Sequence, residues 1–514
     1  MRALRLWALG LVCWAAGGCT AAYFHRVAEA PAETRWSLAD LPWDEVWMGL
    51  VFNGHKIGYS HLELRPAPGA SGRYLLCAQT AMRFHFLMLD KAVSLAGCDR
   101  VDERLHVERF DYRVEVDRSR MQIHGAVHGA ELHVRIRTGD RESQQRLRLE
   151  GPLYPASGID LYPVVHGLQE GAEYTYQVYS AELHELATVH QRVGPWERSE
   201  LFEVPAWRVH TRMLGQSVTT WIDAQGRPQL EISLNGVLIA GLESERRARR
   251  YVLEAALNKQ DVLLALSLVP VEPPLVAPRH LRGLDLQLAG LGRLTPPSDA
   301  WQKCVPEDHV VRCRIGSLAP RDGGRIPPDP ARDLAASLTV PSRDPRIVRL
   351  AHRIAGDVQG TEARVARLLE WMAHNIERVA EDTFSALDVL RTRRAECQGH
   401  SALFAALARA LGIPTRVVNG LVYSEAHQGF LFHTWTTVHL AGRWVPVDPT
   451  FAQFPADATH VELLFGEEPA ALLPLAGIVG HVRARVLATD PPAPTRPSGD
   501  ESSVSSGHAA AGAP

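Results

Sequence analysis

From Val46 to about Tyr251, apolar residues recur at every second position, a period that suits a pleated strand and not a helix. Leu132, Val134 and Ile136 alternate with His133, Arg135 and Arg137. Leu147 and Leu149 alternate with arginines, and Tyr174, Tyr176 and Val178 keep the same spacing. Alternation of this kind means antiparallel strands with one covered and one wetter face. Turn signals divide the run at Asn53-Gly54, Glu170-Gly171 and Asp223-Ala224-Gln225-Gly226. The reading is a large, curved antiparallel sheet domain over residues 46–260, whose aromatic and histidine side chains serve packing before binding.

The period then changes. Pro270, Pro273, Pro274 and Pro278 mark a boundary. Leu284, Leu286 and Leu288 alternate in a small β segment over 275–320, with the Cys304 to Cys313 loop behind it. A Pro- and Gly-rich stretch from Pro320 to Pro330 reads as a second linker. Beyond it, Asp344-Pro345 starts a helix with Ile347, Leu350, Ala351 and Ile354 on one face. Val365, Leu368, Met372 and Ile376 mark a second amphipathic helix. The chain is thus α+β, with a mixed domain over 335–485 and a Pro-, Ser-, Gly- and Ala-rich tail over 490–514 expected to be disordered. Its 514 residues need more than one core. A net charge of −3 offers no basic field for nucleic acid.

The first residues have a separate logic. Arg2 and Arg5 precede an apolar run from Leu6 to Ala16 that ends in Gly17-Gly18-Cys19. This describes an export signal over 1–18, too short to span a bilayer. Its end resembles a bacterial lipobox, with Ala16 where Leu is commonest; Cys19 would carry lipid and 19–45 would be a tether. Thr20 after Cys19 points to outer-membrane sorting, so the expected place is the bacterial envelope, lipid-anchored and periplasm-facing. Cysteine usage agrees with an oxidising compartment. Cys77 with Cys98 and Cys304 with Cys313 are candidate disulfides, although spacing alone does not fix connectivity. Cys397 is left over.

That thiol opens a buried helix. Leu403, Leu407 and Leu411 lie four apart, with Ala402, Ala406 and Ala410 as small packing residues, and the helix stops at Gly412. A thiol at a helix N-terminus faces unpaired N–H groups and the positive dipole end, which favour thiolate and can receive an oxyanion. A strand follows from Ile413-Pro414-Thr415-Arg416, the next begins near Phe432-His433-Thr434-Trp435, and Arg443 to Pro449 returns after Ala441-Gly442. Neighbouring strands can bring His433 beside Asp448 with Cys397 packed against them. Cysteine, histidine and a carboxylate are the minimal set for acyl transfer.

These blocks, Cys397 with its helix to Leu411-Gly412-Ile413-Pro414-Thr415-Arg416, His433-Thr434-Trp435, and Trp444 to Thr450, resemble the bacterial transglutaminase-like superfamily, related to papain-like proteases, over about 345–466. Phe384 to Leu390 and Asp457-Ala458-Thr459-His460-Val461 are also family-like. The resemblance implies Cys397 as nucleophile, His433 as general base and Asp448 as its orienter. It implies an enzyme attacking amide or peptide bonds of an envelope protein or peptide through a thioester, with no cofactor and no metal. Ala395 stands where the family usually has Gly, Gln398-Gly399 is a less common pair, and the second oxyanion donor is unassigned. The alternative is an envelope binding or assembly protein whose thiol domain is mainly a scaffold. Oligomeric state is open.

Overall fold

The computed structural model describes residues 23–491 apart from 87–88, 118, 252–263, 265–266, 320–326 and 380. The export signal, Cys19 and all of the tail beyond residue 491 lie outside the described residues. Among the described residues, 16 strands form the first sheet. The strands from Glu45 to Arg148 follow one another as an antiparallel meander, and those from Glu173 to Leu242 form a second. Leu238–Leu242 pairs with Glu45–Phe52 and joins the two.

Alternation decides which face is covered. Leu132, Val134 and Ile136 are buried, whereas Arg135 and Arg137 are exposed. A sheet this wide can bury one face only by twisting and curling. Phe110 and Ile123 from the first meander and Trp196, Trp207 and Ile222 from the second share one core. Leu161 and Val164, on the short helix Leu161–His166, fill its centre. Cys77 and Cys98 are directly opposite on neighbouring strands and are disulfide-bonded, as are Cys304 and Cys313.

Three boundaries differ from the sequence reading. The described part of the expected tether is laid along the sheet: Phe24–Arg26 pairs with Glu197 to Ser199, and Thr34 bridges Leu168. Phe24 stacks on Trp221 at 4.3 Å, and the Trp36 and Trp43 indoles donate to Ala224 O and Gln225 O, each at 3.0 Å. Docked aromatics hold this segment where its sequence has no strand period. The middle segment is not a separate unit, because Gly283–Ala289, Gln302–Glu307 and Val310–Gly316 belong to the same 9-stranded sheet as the strands after the Cys397 helix. That sheet is completed by Arg483–Asp490, which pairs with Gly283–Ala289, so the folded chain runs past the expected end at 485.

On the helical side, Pro345–Ala355 is capped by Asp344, whose carboxylate accepts from Arg346 N at 2.9 Å. Its Ile347, Leu350 and Ala351 meet Val365, Leu368 and Met372 of the helix Thr361–Asn375 in the core around the Cys397 helix. Among the described residues, no helix is long and apolar enough to cross a membrane.

The short helix Pro330–Asp333, ahead of these helices, is pinned by a buried ion pair. Arg416 donates Nε and Nη2 to the two carboxylate oxygens of Asp333, each at 3.0 Å, and its guanidinium lies 3.8 Å from the Trp444 ring centroid. Asp333 is fully buried. Removing one partner of such a pair strands the other charge. Asp333→Asn should therefore destabilise the thiol domain by about 3 kcal/mol. A urea titration followed by tryptophan fluorescence checks this, and an unmoved transition would contradict it.

Candidate active site

Cys397 sits where a turn becomes a helix. Arg394 and Ala395 pair in parallel with Glu377 and Arg378, and Cys397–Ala410 follows as a helix. The left-handed residue of this turn is Arg393, with φ 59°, so that conformation does not fall on Ala395, where the family usually has Gly. Gly399 is required by space: a Cβ there would lie 2.7 Å from both Ala395 Cβ and Thr383 Oγ1. Leu403, Phe404 and Leu407 anchor the helix in the core and fix the Cys397 position.

Glu396 changes the electrostatics expected of a helix start. Its carboxylate accepts from Gln398 N at 2.6 Å and Gly399 N at 2.8 Å. Those two N–H groups are thereby occupied, and a negative charge lies beside the thiol. Burial, then the Glu396 carboxylate, hold the Cys397 thiol well above its usual range; a hydrogen bond with the Thr434 main chain works the other way. Burial and neighbouring Asp382 push Glu396 itself up to about 7. The resting thiol is thus protonated, contrary to the expectation drawn from the helix dipole. Cys397 is half-buried and unbonded to any other cysteine.

His433 lies on the long strand Gly429–Leu440. Ser401 Oγ donates to Thr434 O at 3.0 Å and holds the Cys397 helix against this strand. His433 pairs with Gly420, where a Cβ would meet Trp435 at 2.7 Å, so the close strand packing depends on glycine. His433 Nε2 is 2.8 Å from Asp448 Oδ2, which leaves Nδ1 as the ring nitrogen for exchange with a thiol. Phe451 stacks on the imidazole with centroids 4.9 Å apart. Burial lowers the His433 pKa, opposed by Asp448 and assisted by His460 and Arg378.

Asp448 is fully buried at the end of the strand Arg443–Val447. Its Oδ1 accepts from Thr450 N at 2.7 Å and Phe451 N at 3.1 Å. Its Oδ2 takes His433 and also His460, whose Nε2 is 3.0 Å away. Burial alone would raise its pKa, but His433 and His460 hold it well below the ordinary carboxylate range. His460 Nδ1 faces Asp457 O at 3.1 Å and Asp457 Oδ1 at 3.3 Å. Despite burial, bonds to Asp448 and Asp457 push His460 up to about 9.

The structure therefore brings Cys397 beside Thr434 and joins His433 to Asp448. His400 bonds Glu396 O, and His427 bonds Ser424, so neither joins His433. His433, Asp448 and His460 have donor atoms within 4.8 Å of one another, a spacing a cation would also need; here Asp448 Oδ2 is instead the shared acceptor of both rings. His460 is the site residue that sequence reasoning does not single out. Its only signal is the Asp457-to-Val461 block, which offers one histidine with no ligand spacing of its own.

A thiol at a helix start, with a histidine and an aspartate on adjacent strands, defines a transglutaminase-like domain, and residues 348–449 match the sequence profile of the transglutaminase-like superfamily. The chain is 30% identical over 115 residues to kyphoscoliosis peptidase of Mus musculus and of Homo sapiens, a match covering 20% of this chain and 17% of each relative. It thus spans under a fifth of the length of those curated relatives. A solved β-barrel-like protein of the DUF1849 domain from Brucella abortus aligns with a TM-score of 0.31 at 10% identity, covering 39% of this chain and 95% of that one.

The Glu396 charge gives a pH-dependent test. Above pH 7, where Glu396 is ionised, Glu396→Gln should lower the thiol midpoint and speed iodoacetamide labelling of Cys397 about tenfold. At about pH 5, where Glu396 holds its proton, the two rates should converge. Mass spectrometry of the labelled peptide reads both.

Proposed function

We propose that this protein is a thiol enzyme of the cell envelope that attacks carboxamide or peptide bonds of a protein or peptide substrate. The observation that carries the reading is His433, 2.8 Å from Asp448 and on the strand whose next residue, Thr434, meets Cys397. His433 Nδ1 takes the thiol proton as Sγ attacks the carbonyl carbon. The Cys397 N–H, at the helix start, faces the developing oxyanion. Collapse of the tetrahedral intermediate forms a thioester, and His433 returns the proton to the leaving amine or ammonia. Water or a second amine then resolves the thioester. Asp448 stays ionised on Nε2, orients the ring and stabilises the imidazolium.

Substrate binding offsets the cost of making the thiolate. With Cys397 protonated and His433 neutral at rest, proton transfer accompanies attack and does not precede it. Export by residues 1–18 and lipidation at Cys19 would hold the enzyme at the membrane facing the periplasm.

The test uses the full chain with a casein substrate, with and without dansylcadaverine as amine. Ammonia release or peptide cleavage is expected without the amine, and dansyl incorporation with it if the site transamidates. Cys397→Ala should abolish all of these, and His433→Ala should cost about three orders of magnitude in rate. A Cys397→Ala protein that still performs the cellular role would instead select an envelope binding protein. The observation that favours that second reading is the Glu396 carboxylate capping the helix start beside a half-buried thiol, where it opposes thiolate.

A further inference from the structure

The core of the thiol domain holds a line of charged groups longer than a triad. Arg279, from the segment before the catalytic helices, donates Nη1 to Asp457 Oδ2 at 3.2 Å. Asp457 is bonded to His460 through Oδ1, His460 to Asp448 Oδ2, and the same oxygen to His433. Charge alternates along the line, and His460, Asp448 and Asp457 are all buried or nearly so. Gln453 Nε2 at 2.8 Å, Thr459 N at 2.9 Å and the Thr459 hydroxyl also donate to Asp457.

We propose that His460 is a positioning residue of the reaction: a second, charged imidazole that keeps Asp448 ionised and aimed at Nε2 while His433 itself is neutral. The proposal rests on the thiol-enzyme reading above. A neutral His433 gives Asp448 a hydrogen bond but no counter-charge, and a fully buried carboxylate without one is strongly disfavoured. His460 supplies that charge at every stage of turnover, because Asp457 holds its other nitrogen. It also lowers the affinity of His433 for a proton, since two cations would then share one carboxylate oxygen. A proton taken from Cys397 is for that reason easily passed to the leaving amine. The other charged or titratable groups around the pair are Arg378 beside His433, His400 toward Asp448, and Arg279 on Asp457. None of them bonds Asp448 Oδ2, which two imidazoles share.

The experiment follows the imidazole nitrogens of the ¹⁵N-labelled full chain by NMR between about pH 5 and 9, in wild type, His460→Gln and Asp457→Asn. His460 should stay protonated through neutral pH in the wild type. His460→Gln removes the neighbouring charge and should raise the His433 midpoint by about one pH unit. Asp457→Asn leaves the imidazole in place but unsupported, and should raise it by less; it decides the matter if His460→Gln does not fold. A His433 midpoint unmoved in the folded variants overturns the proposal, as does a wild-type His460 that is neutral at pH 7. Iodoacetamide labelling of wild type beside His433→Ala separates this from the parent reading. If His433 responds to His460 but Cys397 labelling ignores His433, the clamp exists and the thiol-enzyme reading fails. If labelling depends on His433 and its midpoint ignores His460, only the positioning role falls.

Discussion

The thiol domain is organised around one buried carboxylate. Asp448 accepts four hydrogen bonds, from two backbone N–H groups just after it and from two imidazoles. Together they fix three pieces of chain: the turn to Phe451, the strand carrying His433, and the loop carrying His460. A group so placed cannot lose a partner without leaving uncompensated charge in a low-dielectric core. Orientation of the base is thus inseparable from stability of the surrounding fold.

The sheet domain reaches the same centre from the other side. Lys91 is buried between Asp117 at 3.1 Å and Asp382 at 3.0 Å. Ser119 Oγ donates to Asp382 O at 3.3 Å, and Asp382 N donates to Asp117 Oδ2 at 3.1 Å. Leu338 and Phe384 add apolar contact to the sheet's own core. Asp382 lies close enough to influence Glu396, which in turn influences Cys397. The large domain is therefore electrostatically connected to the nucleophile through two carboxylates, and the loop at 381–385 is shared property of both units.

Local pattern made much of this legible. Alternation at Leu132, Val134 and Ile136 marked real buried faces, and the helix from Cys397 and the strands of His433 and Asp448 followed from period, turns and order. What escaped the sequence was long-range or solitary. The pairing of Gly283–Ala289 with Arg483–Asp490 joins segments far apart in the chain, and nothing in either run names its partner. Residues 24–45 dock by isolated aromatics, which leave no period to read. Glu396 reads in sequence either as a residue that tunes the thiol or as a solvated acid; its carboxylate caps the helix and opposes the effect expected of the dipole on the thiol.

The interleaved second sheet also sets an order of events. Two of its inner strands come from Val269–Glu272, before the Cys397 helix in the chain, and from Arg483–Asp490, after Asp448, and these two pair in parallel. A ribosome makes the chain from the N-terminus, so the sheet domain can close on its own core long before this seam exists. The second sheet becomes continuous only when Asp490 has emerged. Until then the strand Gly283–Ala289 has an open edge, and the parallel seam between Val269–Glu272 and Arg483–Asp490 is unmade.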